Sequence, residues 1–364
     1  MFVVLVSVIV IGGIIVIVNA YQAGQWKNTT ILKGILFLLP LITVIIGGLI
    51  LLTALTESDT TGLDEADLNI VGISRAGSIS IFIVSMILGI AGIGLIRSRQ
   101  LRVIFQRIII RSDGLYRRYH PDAVIHTLAL LLMGLASVNT VGNFVLAGGI
   151  EGIATEISTI SASDLLSNLA MYIAFSLLGV GLFIRRDFQR SLRRLGIRLP
   201  RNSQWIAWSR DGMRYLVIGA FVGFGMFWLQ IGMMLIWQTF ASPETIAAQS
   251  AASQALFAAL SGSLWLGFLV AFTAGVGEEL LFRGALQPIF GNVVVSIFFV
   301  LLHSQYLLTP ASLIIFIVSL IFGFLRDYTT TPAAMMAHFV YNFTPFILIA
   351  LLNQWGISLE GFIF

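Results

Sequence analysis

Long runs of apolar residues dominate this sequence and decide the environment in which it can fold. About ten such runs, of roughly 18 to 25 residues, follow one another along the 364-residue chain. A helix of about 20 apolar residues crosses the hydrocarbon core of a bilayer. Charged residues make up 10% of the chain, against about 25% in soluble proteins. The sequence therefore predicts an all-α, polytopic membrane bundle of about ten transmembrane helices, and it excludes a soluble or a disordered protein.

The predicted segments have approximate limits. They lie at residues 2–18, 31–55, 78–96, 124–147, 165–184, 215–240, 255–290, 293–308, 313–325 and 333–352. Glycine is frequent, and the four-residue spacing of Gly219 and Gly223 predicts a close helix contact. The absence of cysteine excludes disulfides, thiolate metal sites and a cysteine nucleophile.

Arginine is concentrated in two loops, which predicts the orientation of the chain. Residues 97–118 contain seven arginines and residues 185–214 contain nine, so these loops hold 16 of the 21 basic residues. The loops at residues 57–67 and 151–156 are acidic instead. The positive-inside rule places the arginine loops in the cytoplasm, with both termini outside, in what we expect is a prokaryotic cell membrane. Such loops attract anionic lipid headgroups, and no aromatic interleaving or recognised fold supports a nucleic-acid partner.

Six polar residues interrupt the apolar segments near the C-terminus. A charged group at bilayer depth costs about 2.5–3.5 kcal/mol even on the lenient insertion scale, so such residues need partners and their first interpretation is functional. The six are Glu278, Glu279, Arg283, His303, His338 and Asn342.

Helical spacing pairs two of these residues and separates a third. Glu279 and Arg283 are four positions apart, so they share a face and can form an ion pair. Glu278 is turned about 100° from Glu279 and is the carboxylate available to hold a water molecule. The same four-residue spacing relates His338 to Asn342 and Phe299 to His303.

Counting residues from the turns predicts that these side chains lie at one depth. Glu278 lies before the turn at residues 291–292, and His303 lies after it by about the same number of residues. Both are therefore roughly 18–20 Å from the turn. After a second turn at residues 309–310 the chain returns, and Asn342 reaches the level of His303 with His338 one turn above. Side chains from three helices therefore converge.

Two kinds of hydrolytic chemistry suit such a cluster. A carboxylate beside a histidine can deprotonate a water molecule, while a second histidine and a carboxamide donate hydrogen bonds to an oxyanion. Alternatively, Glu278, His303 and His338 form a familiar zinc ligand set. Either arrangement predicts hydrolysis of a carbonyl compound within the membrane.

Three sequence motifs carry a family resemblance. Residues 278–283 read EELLFR, residues 299–303 read FVLLH and residues 338–342 read HFVYN. These match the EExxxR, FxxxH and HxxxN motifs, so residues 255–352, and more loosely those from 215, resemble the CPBP family of CAAX proteases and bacteriocin-processing enzymes.

The predicted domains are an N-terminal membrane region at 1–213 without an assigned role, a catalytic domain at 214–352 and a tail at 353–364.

The resemblance implies roles for individual residues. Glu278 and His303 would activate the water molecule, and His338 and Asn342 would form the oxyanion hole. Glu279, Arg283 and Phe299 would support the site. The implied enzyme is a glutamate-dependent, metal-free intramembrane endopeptidase without a cofactor, acting on a membrane-embedded or lipidated peptide or protein; a zinc metalloprotease remains the alternative. Its substrate would be a prenylated protein or a precursor in bacterial processing or immunity.

Two other functions compete with proteolysis. Buried glutamate and histidine also mark proton pathways, so a proton-coupled transporter is one rival. The unusual residues occupy one half of the chain, whereas repeat-type transporters carry matching broken segments in both halves. The other rival is a catalytically silent membrane scaffold of the same fold.

Overall fold

The structure is a computed structural model and consists of helices in the part of the chain that it describes. It describes residues 2–60, 75–113, 119–147, 161–197, 205–243, 246, 263–303 and 310–355. Within these ranges there is no β-strand, and Leu182 and Arg186 form one isolated β-bridge. All of the acidic loop at 151–156, parts of the other acidic loop and of both arginine loops, and most of the predicted tail lie outside the described residues.

The helices are numbered in chain order. They are α1 (Phe2–Gln22), α2 (Thr29–Thr60), α3 (Arg75–Arg97), α4 (Arg99–Asp113), α5 (Val124–Leu146), α6 (Ala162–Gly179), α7 (Phe188–Arg194), α8 (Trp205–Gln238), α9 (Leu264–Thr273), α10 (Gln287–Phe290), α11 (Asn292–Leu302), α12 (Pro310–Tyr328) and α13 (Thr331–Gln354). Two π-helical segments, π1 (Ala274–Glu278) and π2 (Leu280–Leu286), lie between α9 and α10.

Nine helical stretches of the described chain are long and apolar enough to cross a membrane. This confirms an all-α integral membrane protein, with one difference from the predicted ten spans. The predicted segment at 293–308 corresponds to α11, which has 11 residues and a length of about 16 Å, roughly half the hydrocarbon core. The side of the membrane on which the arginine loops lie, and the kind of membrane, stay predictions.

The chain folds into two compact units. The first comprises Met1–Val16, Ile157–Pro288 and Leu313–Phe364, and the second comprises Ile17–Glu156 and Ile289–Ser312. Five of the six polar residues singled out in the sequence belong to the first unit, whereas His303 belongs to the second. The predicted domain boundary at residue 213 stays a prediction.

In the second unit, α2 and α3 pack closely through small residues. Gly47 lies against the side chain of Ser85, and Gly89 lies against Val44, so a methyl group at either glycine would overlap its neighbour. Two buried hydroxyls of this unit bond to their own helix: Thr43 Oγ1 donates to the carbonyl oxygen of Leu39 at 2.9 Å, and Ser137 Oγ donates to that of Met133 at 2.9 Å. This unit therefore buries such hydroxyls without recruiting a partner helix.

In the first unit, α8 and α13 approach each other backbone to backbone. A methyl group on Gly219 would overlap the carbonyl oxygen of Ala333, and one on Gly223 would overlap that of Ala337. The close contact predicted from the glycine spacing is confirmed. Because Ala337 precedes His338, this contact fixes the part of α13 that carries the histidine.

The residues at the end of α7 join two other elements of the first unit. Arg194 donates from Nη1 to the carbonyl oxygen of Gly284 at 3.1 Å and from Nη2 to that of Ala285 at 3.4 Å. Thr331, at the start of α13, donates from Oγ1 to the carbonyl oxygen of Leu195 at 2.7 Å. The end of α7 thus binds both π2 and α13.

Candidate active site

The predicted EExxxR motif lies on a helix whose interior is wound as a π-helix. The span Leu264–Phe290, which we call the EExxxR helix, is continuous, and both π segments fall within it. A π turn closes i→i+5 hydrogen bonds, and such turns occur frequently at functional sites. Because a π turn is wider than an α turn, successive side chains are rotated about the helix axis by less than 100°. The angle between Glu278 and Glu279 is therefore smaller than the α-helical value expected from the sequence.

Close packing brings the EExxxR helix against α13. A methyl group on Gly275 would lie 3.0 Å from the carbonyl oxygen of Met335 and 3.0 Å from the backbone nitrogen of Phe339. A side chain larger than hydrogen at this position would push the two helices apart. Gly275 therefore permits the approach that brings the glutamates of one helix to His338 of the other.

Glu279 and Arg283 form the ion pair expected from their spacing. Nε of Arg283 lies 3.1 Å from Oε2 of Glu279, and both side chains are completely buried. Removing one member of such a pair costs about 3–5 kcal/mol, since it leaves the other charge buried and uncompensated. The two residues therefore stabilise each other inside the bundle.

Arg283 also contacts α12 and the next turn of its own helix. Nη2 donates to Ser319 Oγ at 2.7 Å and Nη1 donates to Gln287 Oε1 at 3.4 Å. Gln287 in turn donates from Nε2 to the carbonyl oxygen of Gly323 at 2.8 Å. All three side chains are buried, and together they form a polar network that ties the EExxxR helix to α12.

His338 is bound to the same carboxylate as Arg283. Its Nδ1 lies 3.0 Å from Oε1 of Glu279, and the ring is almost completely buried beside Phe322, with centroids 5.6 Å apart. A carboxylate on one ring nitrogen fixes the orientation of the imidazole and directs the other nitrogen elsewhere. Glu279 therefore orients His338 and presents its Nε2.

Glu278 is less buried than the adjacent Glu279. Its side chain is partly exposed, although Oε2 is enclosed, whereas Glu279 has no exposed surface. Two consecutive carboxylates thus have different surroundings, one held in the ion-pair network and one accessible to a small molecule. The ion pair of Glu279 is the one expected from the sequence, and the role of Glu278 stays a prediction.

Asn342 and Tyr341 follow His338 on α13. Asn342 is partly exposed, one turn beyond His338. The hydroxyl of Tyr341 donates to Oε1 of Gln230 on α8, and its ring packs edge-on against Phe322 with centroids 6.1 Å apart. The α8 helix therefore anchors the part of α13 between the two predicted oxyanion donors.

His303 is in the second unit, immediately after α11. Its Nδ1 lies 2.8 Å from the carbonyl oxygen of Phe299, and the two rings stack with centroids 4.3 Å apart. The spacing of the predicted FxxxH motif thus produces a direct contact between its two defining residues. Phe299 holds the histidine ring through both its backbone and its side chain.

Possible metal ligands do not gather in the described part of the chain. No group of three or more histidine, aspartate or glutamate side chains there is arranged to hold a metal ion. A carboxylate on Nδ1 of His338, as Glu279 provides, is compatible with either mechanism. The choice between the metal-free and the zinc mechanism stays a prediction.

Three polar residues of the site are not identified by the sequence motifs. Gln287 resembles a packing neighbour in the sequence, although its place four residues after Arg283 continues the Glu279–Arg283 stripe and is a usable signal. Ser319 and Gln230 are single polar residues in apolar helices and carry no sequence signal of their partners.

Comparison with known proteins gives one family match. Residues 260–344 match the model described as type II CAAX prenyl endopeptidase Rce1-like. The chain has no significant match among curated proteins or solved structures. The matched segment contains all three predicted motifs, with the Glu279–Arg283 pair and His338 in mutual contact. Over residues 260–344 the chain is therefore similar to the type II CAAX prenyl endopeptidases, and the three motifs that carry the resemblance to the CPBP family lie in this segment.

Proposed function

We propose that this protein hydrolyses a peptide bond in a membrane-embedded or lipidated substrate, with Glu278 as the general base. His303, assigned to the same step by the motif resemblance, assists in activating the water molecule. His338 and Asn342 stabilise the oxyanion. Substrate class, residue roles and mechanism all belong to this proposal.

The observation that carries the proposal is the different burial of Glu278 and Glu279. Glu279 is committed to Arg283 and His338, at 3.1 and 3.0 Å, and is inaccessible. Glu278, the residue immediately before it, is partly exposed. A general base must reach a water molecule, so the partly exposed Glu278 suits this role. A carboxylate that orients a histidine must stay bound to it, so the buried Glu279 suits that role.

The proposed reaction uses one water molecule and conserves its protons. Water oxygen attacks the peptide carbonyl carbon while one proton passes to Glu278. The resulting oxyanion accepts hydrogen bonds from Nε2–H of His338 and from the side-chain amide of Asn342. The His338 ring then carries both protons, since Nδ1–H donates to Glu279. The C–N bond breaks as the proton held by Glu278 passes to the leaving nitrogen.

A metal-free mechanism is part of the proposal. It is supported by the described histidine, aspartate and glutamate side chains, which form no group of three arranged to hold a metal ion. Zinc would otherwise supply the activated water molecule. The chelation arm of the experiment below separates the two mechanisms.

Cleavage by purified protein in lipid vesicles tests the proposal. Two probes with one peptide sequence are used, one farnesylated near its C-terminus and one unmodified. We expect wild type to cleave at least one probe and Glu278→Gln to lose about 10²-fold or more in kcat with an unchanged melting temperature. Cleavage that persists in Glu278→Gln would refute the role of Glu278.

Two controls accompany this measurement. Asp122→Asn makes the same acid-to-amide change at an exposed carboxylate of the second unit and should leave cleavage unchanged. Activity that is abolished by a chelator and restored by Zn²⁺ would replace the metal-free mechanism by the zinc alternative. Failure of wild type on every peptide probe would contradict the assigned substrate class.

A further inference from the structure

Tyr172 of α6 lies beside the helix that carries Glu278. It is 88 residues before the start of the matched segment, but Tyr172 and Glu278 belong to the same compact unit. A methyl group on Gly277 would lie 3.0 Å from Cδ2 and 3.2 Å from Cβ of Tyr172. The tyrosine is therefore packed against the backbone of the residue immediately before Glu278.

The aromatic ring of Tyr172 is held in place from two directions. Its ring centroid lies 6.5 Å from that of Phe282, which is buried on the following segment π2. Its carbonyl oxygen accepts a hydrogen bond from Ser176 Oγ at 2.7 Å, which stabilises this turn of α6. The phenol is therefore fixed against π1 and π2 rather than turned toward lipid.

The polar end of Tyr172 has Glu278 as its charged neighbour. The ring packs against Gly277, the residue immediately before Glu278, and the Glu278 carboxylate interacts electrostatically with the phenol. A neutral phenol donates one hydrogen bond, and a carboxylate accepts several. This juxtaposition supplies a donor for a carboxylate that must hold a fixed orientation toward a water molecule.

We infer that Tyr172 is a positioning residue that orients the Glu278 carboxylate, and that α6 is consequently part of the catalytic apparatus. The inference rests on the proposed role of Glu278 as general base. The tyrosine acts through Glu278 and does not itself contact the scissile bond. Gly277 is required for this arrangement, because the side chain of any other residue there would contact the Tyr172 ring too closely.

Tyr172→Phe tests the inference because it removes the hydroxyl and keeps the ring. A hydrogen bond from this hydroxyl to the Glu278 carboxylate is part of the inference, and its loss should lower kcat roughly ten- to hundredfold. KM and the melting temperature should stay unchanged, since substrate contacts and ring packing remain. Tyr328→Phe, at an exposed position at the end of α12, is the matched control and should equal wild type.

Gly277→Ala provides an independent variant. The added methyl group displaces the Tyr172 ring and should lower kcat in the wild-type background. In the Tyr172→Phe background the same change should lower kcat less, because the hydroxyl that it displaces is already absent. Equal effects of Gly277→Ala in both backgrounds would contradict the inference.

Parallel assays separate failure of this inference from failure of the proposed function. If wild type does not cleave, or Glu278→Gln cleaves as wild type does, the proposed function itself fails. If wild type cleaves, Glu278→Gln does not, and Tyr172→Phe retains wild-type kcat, only the role of Tyr172 is refuted. A rise in KM alone would likewise refute it, since this would place Tyr172 in substrate binding.

Discussion

The EExxxR helix and the α2–α3 pair bury polar groups in different ways. In α2 and α3 the close contacts involve glycine, serine and apolar side chains, and the buried hydroxyl of Ser137 in that unit bonds to a carbonyl four residues earlier. On the EExxxR helix the buried groups are a carboxylate, a guanidinium and an amide, and each of them also has a partner on another helix. Charged groups inside a bundle require partners from several helices, so the second arrangement fixes the positions of those helices relative to one another.

The largest effect should follow from breaking the charged network. Arg283→Met keeps an apolar stem but leaves the Glu279 carboxylate buried without its cationic partner. We expect a loss of about 3–5 kcal/mol in the free energy of unfolding and failure to accumulate at high temperature. Thermal unfolding in detergent measures this. Arg190→Met, at an exposed arginine of α7, should change stability by less than about 0.5 kcal/mol, and equal effects of the two variants would remove the distinction between the two regions.

A smaller effect should follow from enlarging the backbone contact between α8 and α13. Gly223→Ala places a methyl group against the carbonyl oxygen of Ala337, so we expect a loss of about 1–3 kcal/mol. Gly225→Ala, two residues along the same helix, meets no atom within 4 Å and should be neutral or stabilising by up to about 1 kcal/mol. Chemical denaturation of both variants decides the point. Similar losses at both positions would show that glycine matters here for another reason.

Two buried serines sharpen the comparison between the regions. Ser319→Ala removes the acceptor of Arg283 Nη2 and should cost about 1–3 kcal/mol, because the guanidinium N–H is left buried. Ser137→Ala removes a hydroxyl that is bonded within its own helix and should cost less than about 0.5 kcal/mol. The difference between the two melting temperatures is the quantity to measure. A larger loss at Ser137 would reverse the expected order.

The smallest effect concerns an exposed ion pair and depends on pH. The hydrogen bond from Arg99 lowers the pKa of Asp122 below its usual value of 3.8. At pH values above the usual pKa, the ionised carboxylate therefore stabilises the folded state. This contribution disappears as the pH falls through the lowered pKa of the folded protein. The small difference in melting temperature between wild type and Asp122→Asn should therefore vanish under strongly acidic conditions. A difference that grows on acidification would contradict this assignment.

The parts of the fold that sequence could predict are those set by local spacing. The ion pair of Glu279 and Arg283 and the close contact at Gly219 and Gly223 each follow from a spacing of four on a helix. Nine of the spans follow from runs of apolar residues. In each case the interaction is decided by residues within one turn or by composition alone.

Other features depend on packing that no local pattern encodes. The π turns have an apolar sequence like that of an α-helix and differ from an α-helix only in their i→i+5 hydrogen bonds. Counting residues with α-helical geometry is therefore wrong for this stretch. The predicted segment at 293–308 includes the polar residues His303, Ser304 and Gln305, whereas α11 ends at Leu302. Contacts of Ser319 and of His338 join residues far apart in the chain, and a single sequence contains no signal for them.

The glycine contact between α8 and α13 limits how far His338 can move along the axis of α13. Because Gly223 meets the carbonyl oxygen of Ala337 directly, backbone atoms rather than adjustable side chains determine how far α13 can slide. A slide of half a helical turn would move His338 by about 2.7 Å and remove it from hydrogen-bonding distance of Glu279. Backbone contact at Gly219 and Gly223 therefore sets the register in which the histidine meets the carboxylate.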